Sequence, residues 1–162
     1  MTDEIKYMRI LDHPNLLKMH SVYDYRCYIV LVLEYVNGGT LAERIKAGQV
    51  DVNKALCYVH DILESLAYMH SMNIIHRDIK STNIMFVVQE DPLTGRKGVE
   101  TLKVIDFGLC GDLTDRSYNS LIHDKCGTLG YLAPELIAKK SKQHFYNSKV
   151  DVFSTGVLLY EM

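Results

Sequence analysis

Little in this sequence is extreme, and most of what it lacks excludes a class of protein. Its four cysteines, Cys27, Cys57, Cys110 and Cys126, stand far apart and form no CxxC pair, so neither a disulfide framework nor a zinc knuckle is encoded. Cys57 with His60, and His123 with Cys126, offer two ligands each, too few for a tetrahedral metal site. Unpaired cysteines suit a reducing compartment. The opening MTDEIK has no apolar signal-peptide core. The longest plainly apolar run, Tyr28 to Leu33, is far too short to cross a bilayer. A cytosolic or nuclear setting with no membrane segment is therefore expected. Acidic residues number 20 and basic residues 18, a net charge of −2, which leaves no basic face for a nucleic-acid partner. With three prolines, ten glycines, no repeat and no low-complexity tract, collagen-like, disordered and solenoid architectures are out. What remains is ordinary globular composition, 48% hydrophobic and 23% charged in 162 residues, a length that favours one domain and allows two small ones.

Hydrophobic periodicity orders the chain. Ile5, Met8 and Leu11 recur at helical spacing from Glu4 to Leu11, and His13-Pro14-Asn15 ends that helix. Leu16 to Val22 and Cys27 to Tyr35 read as strands, the second apolar throughout and so expected to be buried on both faces. After the Asn37-Gly38-Gly39 turn, Thr40 and Glu43 form a capping box that opens a short helix. From Asp51 a long amphipathic helix runs towards His70, with Val52, Ala55, Leu56, Val59, Ile62, Leu63 and Leu66 on its apolar stripe. Ile84 to Val88 and Thr101 to Ile105 read as a hairpin joined by a long loop, Gln89 to Glu100, expected to be a tolerated surface insertion. A last apolar helix starts near Ser148 and is still running at Met162.

Three segments carry chemistry. In HRDIKSTN, residues 76–83, Asp78 is followed by the cation Lys80 and the amide Asn83. A carboxylate can accept a hydroxyl proton, a lysine can neutralise a phosphoryl oxygen, and an amide oxygen can ligate Mg²⁺. Taken alone, the same residues also fit a polar loop with a satisfied salt bridge. DFG at residues 106–108 adds Asp106 as a further metal ligand, with Gly108 letting the backbone turn away. APE at residues 133–135, preceded by CGTLGY, is by itself only a turn.

In this order, with a hairpin between the first two, these segments resemble the eukaryotic-type protein kinase catalytic domain of the Ser/Thr class. EIKYMRILDHPNLLKM is similar to its helix αC and strand β4, LVLEYVNGGTL to β5 and the hinge, and VDVFSTGVLLYEM to the start of helix αF. The resemblance implies an α+β, two-lobed fold. Residues 1–36 would be a partial N-lobe and hinge, and residues 37–162 a partial C-lobe, cut at both ends of a domain of roughly 250 residues.

The resemblance also implies roles. Asp78 would be the catalytic base, Lys80 the γ-phosphate contact, and Asn83 with Asp106 the Mg²⁺ ligands of an ATP-dependent transferase acting on a protein substrate. Glu34 and Val36 would hold adenine through main-chain groups, Leu33 would guard the back pocket, and Met85 would lie under the ring. Met8, Met19, His76 and Phe107 match the hydrophobic spine, and plain core filling fits the methionines as well. Lys80 and Thr128 favour Ser/Thr over Tyr as acceptor. Arg77 matches the anchor of a phosphorylated activation loop. Asp124 either supplies that anchor with a fixed negative charge or is a solvated loop residue. Thr114, Ser117, Tyr118 and Ser120 are candidate phosphosites. Asp151 either closes a capping box with Ser148 or holds the backbone of the catalytic loop.

The departures carry expectations too. No GxGxxG lies in the chain, no VAIK-like strand precedes Glu4, and the helices that follow αF in the family, with the arginine that there usually pairs with Glu135, are lacking. This chain alone is therefore expected to be marginally stable, to expose apolar patches and to transfer little or no phosphate. Two function classes follow: an active Ser/Thr kinase represented by an internal segment, or a non-catalytic kinase-like binding or regulatory module.

Overall fold

The computed structural model describes residues 3–90, 97–113, 126–137 and 147–162. Helix α1 spans Asp3–Ile10, with acidic Asp3 and Glu4 in its first turn and Arg9 in its last, matching the helix dipole. Strand β1 (Met19–Asp24) pairs antiparallel with β2 (Ile29–Leu33). The pairing starts later than the apolar pattern suggests. Leu16 instead bridges to Val104, and the Leu17 N–H donates to the Val104 carbonyl at 3.0 Å, so this stretch belongs to a different sheet edge.

The expectation that β2 is buried on both faces is overturned. Ile29, Val30, Val32 and Leu33 are each about two-fifths exposed, because β1 and β2 form a sheet of only two strands, part-open on both faces among the described residues. The apolar patch expected of the small sheet is present.

Helix α2 (Leu41–Lys46) opens on the capping box. The Thr40 hydroxyl accepts from the Glu43 N–H, and the Glu43 carboxylate accepts from the Thr40 N–H at 2.7 Å. Helix α3 (Val52–Ser71) is capped by Asp51, whose side chain accepts from the Lys54 N–H at 2.9 Å. Its buried stripe is Ala55, Tyr58, Ile62, Ser65, Leu66 and Met69. Ala55, Ile62 and Leu66 were expected there. Val52, Leu56 and Leu63 face outward, since the stripe is set by packing on the hairpin and on the last helix rather than by apolarity alone.

Strands β3 (Ile74–Ile75) and β6 (Gly111–Asp112) pair with each other, and a 3₁₀ turn (Ser81–Asn83) leads into β4 (Ile84–Glu90). β4 pairs antiparallel with β5 (Lys97–Val104) in the register Ile84↔Val104 to Val88↔Glu100. The expected long loop is therefore shorter: Gln89, Glu90 and residues 97–100 belong to the strands, and its tip, residues 91–96, lies outside the described residues. Helices α4 (Pro134–Ile137) and α5 (Lys149–Glu161) complete the mixed α+β fold. One buried cluster runs through Tyr7, Met8, Leu16, Ile62, Phe86, Phe107 and Leu158, so α1, the hairpin, α3 and α5 share a core.

Candidate active site

The loop between β3 and β4 carries Asp78, Lys80 and Asn83, and the buried side chains of Ile75, Ile79 and Ile84 anchor it to the core. Its backbone is held from α5. Fully buried Asp151 accepts from the His76 N–H at 2.9 Å and the Arg77 N–H at 2.8 Å, and its Oδ2 lies 2.8 Å from His70 Nε2. Ser148 makes no side-chain cap bond, so of the two arrangements open for Asp151 the capping box is not the one formed. Arg77 adopts a left-handed φ of 69°, a conformation costing a non-glycine residue about 1 kcal/mol or more. It is held there by Asp151 on its N–H and by guanidinium bonds to the Leu109 and Cys110 carbonyls.

The Asp78 carboxylate is buried and fully engaged. Oδ2 accepts from Lys80 Nζ at 2.7 Å and from Asn83 Nδ2 at 3.0 Å, while Oδ1 accepts from the Thr128 hydroxyl at 2.8 Å. Lys80 Nζ also donates to Thr128 Oγ1 at 2.9 Å, which closes the network. Burial alone would raise the Asp78 pKa, but hydrogen bonds from Lys80, Thr128 and Asn83 outweigh it and hold the carboxyl below its ordinary value. Asp78 is thus an anion at neutral pH, and Oδ1 already accepts from one hydroxyl.

Asp106, two residues past the end of β5, has a left-handed φ of 66°, and its Oδ1 accepts from the Gly108 N–H at 3.1 Å. Its side chain is exposed, and its other oxygen has no partner among the described residues. Phe107 turns inward and is buried, its ring 5.8 Å from that of His76. Burial lowers the His76 pKa and keeps the ring neutral, with Nδ1 accepting from the Asp78 N–H at 3.3 Å. The donor set fits Mg²⁺: the Asn83 amide donates its N–H groups to Asp78, which frees its oxygen, and Asp106 offers an exposed carboxylate.

The hinge follows β2. Leu33 is part-exposed, and Val36 and Met85 are half-buried. The Glu34 N–H is spent on the Lys18 carbonyl at 2.8 Å, so of the Glu34 main chain only the carbonyl is open to a ligand. Beyond it, Gly38 donates to the Phe86 carbonyl at 2.7 Å and Asn37 bonds both the N–H and the carbonyl of Val88. Gly38 has to be glycine here, since a Cβ would lie 2.7 Å from the Phe86 oxygen. Residues 37–40 thereby line the edge of β4 and end in a bridge between Thr40 and Met85.

Other residues singled out from the sequence are less engaged. Glu4 is half-buried on α1 above Met8, and exposed Glu135 on α4 makes no ion pair among the described residues. Asp124 and the candidate phosphosites Thr114, Ser117, Tyr118 and Ser120 lie outside the described residues. The sequence reading missed Lys103, Arg44 and His70. A signal existed for Lys103, the one cation within the apolar run LKVI of a strand. A hollow of about 840 Å³ opens between α2, the start of α3 and the hairpin, lined by Arg44, Lys54, Val88 and Glu100 among others, and it contains none of the residues expected to act.

The geometry can be set beside known proteins. The protein kinase domain model matches residues 1–162. CBL-interacting protein kinase 26 of Oryza sativa is 34% identical over 157 residues, 97% of this chain and 29% of that protein. CBL-interacting serine/threonine-protein kinase 20 of Arabidopsis thaliana is 34% identical, covering 97% of this chain and 33% of that protein. A probable serine/threonine-protein kinase of Dictyostelium discoideum is 36% identical over 160 residues, 98% of this chain and 17% of that protein. The chain thus spans a third or less of the length of these curated relatives.

Proposed function

The chain belongs to the protein kinase domain family, and from that premise we propose that the protein it represents transfers the γ-phosphoryl group of ATP to Ser or Thr hydroxyls of a protein substrate. The observation that supports this best is the closed network of Asp78, Lys80, Asn83 and Thr128. In the proposed step the acceptor hydroxyl oxygen bonds to the γ-phosphorus and the bond to the β-phosphate oxygen breaks. Asp78 Oδ1 takes the hydroxyl proton, and Lys80 balances charge on the transferred group. Asp78 serves as an orienting anion more than as a strong base, because its lowered pKa disfavours full protonation.

Asn83 and Asp106 are the residues that would hold Mg²⁺, whose chemistry when bound is to neutralise phosphate charge. Main-chain groups of Glu34 and Val36 would receive adenine, with Leu33 and Met85 beside it. The left-handed backbone at Asp106, with Phe107 buried against His76, supports a DFG segment turned so that its carboxylate points to solvent and its ring to the core. The free cysteines favour a cytosolic or nuclear setting. Among the described residues no helix is long and apolar enough to cross a membrane.

Transfer of labelled γ-phosphate from ATP to a Ser/Thr-containing protein by the intact protein, and its loss in Asp78→Asn, tests the reading. Nucleotide binding without transfer in the parent would assign the non-catalytic module instead.

A further inference from the structure

We propose that Arg44 is a positioning residue for the nucleotide-binding hinge, coupling it to the β4–β5 hairpin through Glu100; the assignment rests on the phosphotransfer reading above. Arg44 sits on α2, fifty-six residues from Glu100, yet its Nη1 donates to Glu100 Oε1 at 2.6 Å and to the Tyr58 hydroxyl at 3.2 Å. Its Nη2 donates to the Gly38 carbonyl at 3.0 Å, and the guanidinium carbon lies 3.4 Å from the centre of the Phe86 ring. One side chain therefore touches the hinge exit, α3, β4 and β5. Its own exposure is only 16%.

The geometry specifies arginine. A planar fork can serve Gly38 with one nitrogen and the Glu100–Tyr58 pair with the other while stacking on Phe86, which a lysine ammonium cannot do. Tyr58 closes the ring by donating to Glu100 Oε1 at 3.1 Å, and its own ring lies 4.9 Å from Phe86. Burial opposes charge on Arg44 and on Glu100, yet their mutual hydrogen bond moves the arginine pKa up and the carboxyl pKa down.

The consequence reaches the nucleotide site through Gly38. Its N–H is bound by the Phe86 carbonyl and its carbonyl by Arg44, so both polar groups of this glycine are fixed two residues beyond Val36. The same segment bridges to Met85 through Thr40. Asp78 and Lys80 are held by a separate set of bonds, to each other, to Thr128 and, for Asp78, to Asn83, while Asp151 anchors the preceding backbone at His76 and Arg77. Loss of the Arg44 fork should then loosen the adenine site and leave the chemical step alone. Glu100 falls in the segment expected to be a neutral insertion, and this role gives that segment a purpose.

The test is steady-state kinetics of the intact protein with Arg44→Lys, Glu100→Ala and Glu100→Gln, with amide hydrogen exchange at residues 37–40. The expected result is an ATP KM raised about fivefold in Arg44→Lys and Glu100→Ala with kcat within about twofold of the parent. Faster exchange at Gly38 should accompany it. Glu100→Gln, which keeps an acceptor for the fork, should recover most of the affinity. An unchanged ATP KM in folded Arg44→Lys, or a fall in kcat with KM constant, overturns the proposal. A parent that binds no adenine nucleotide overturns the function proposed above, and unchanged exchange at Gly38 in both Arg44→Lys and Glu100→Ala would then overturn the coupling as well.

Discussion

Lys103 Nζ lies 2.8 Å from Glu34 Oε2, joining the strand that leads to Asp106 to the first residue of the hinge. The lysine side chain is 9% exposed and the glutamate 24%, so the pair is largely out of water. Glu34 Oε2 also accepts from the Lys18 N–H at 3.3 Å.

That asymmetry makes a directional expectation. Glu34→Ala strands a buried ammonium and should cost about 2–3 kcal/mol, below the full buried-pair value because Glu34 is part-exposed. Lys103→Met, which leaves the more solvated partner, should cost less than about 1 kcal/mol. Urea unfolding of both variants checks the order; equal losses would mean that the charge pair carries no such asymmetry.

Asp151 accepts three hydrogen bonds with no exposure at all. Asp151→Ala should lose about 3–4 kcal/mol, since two backbone N–H groups and His70 are left without their acceptor. Asp151→Asn should fall between, as one oxygen is kept. Both should also slow phosphotransfer, because the backbone of His76 and Arg77 loses its anchor. Denaturation midpoints and transfer rates measured together separate the two effects.

Acid should weaken the fold in two windows. Burial lowers the folded-state pKa of His76 below the ordinary value of 6.5. As pH falls through 6.5 the unfolded chain therefore takes up a proton that the folded chain refuses, and stability declines. Lowered Asp78 and Glu100 act in the same direction at lower pH: their contribution is whole above the ordinary carboxylate range and is lost as pH falls through their folded values. His76→Phe should make the upper window shallower, leaving the share of His13, whose pKa burial also lowers, and should leave the lower window intact. Urea midpoints taken from neutral pH downward would show whether the slope persists.

Thr128 spans Asp78 and Lys80 through one hydroxyl. Thr128→Ser should keep most of the phosphotransfer rate, while Thr128→Val should lower it about tenfold by leaving buried Asp78 and part-buried Lys80 each a partner short. Asp78→Asn should lower it by about 10²-fold or more with nucleotide affinity retained. A Thr128→Val protein with the parental rate would remove the hydroxyl from the proposed site.

Features encoded within a few residues were legible. The Thr40–Glu43 capping box and the Asp51 cap form as their spacing implies, because a cap bond closes within one turn. The hairpin from Ile84 and the order of Asp78, Lys80 and Asn83 were equally local, since the side chains meet across a single tight loop. Apolarity along β2 misled, because a run of hydrophobic residues records what a strand can bury and not what covers it.

The sequence by itself determined the helix caps, the hairpin and the grouping of Asp78, Lys80 and Asn83 in one tight loop, all products of hydrogen-bond reach and side-chain period over short spans. Tertiary structure alone decided which partner each distant polar group found. Asp151 on α5 meets the backbone of His76 and Arg77 in the loop between β3 and β4, Lys103 meets Glu34, and Arg44 meets Glu100. Those pairings depend on how α3, α5 and the hairpin pack, and a buried charge takes whichever backbone N–H or opposite charge that packing brings within reach, however far apart the two stand in the chain.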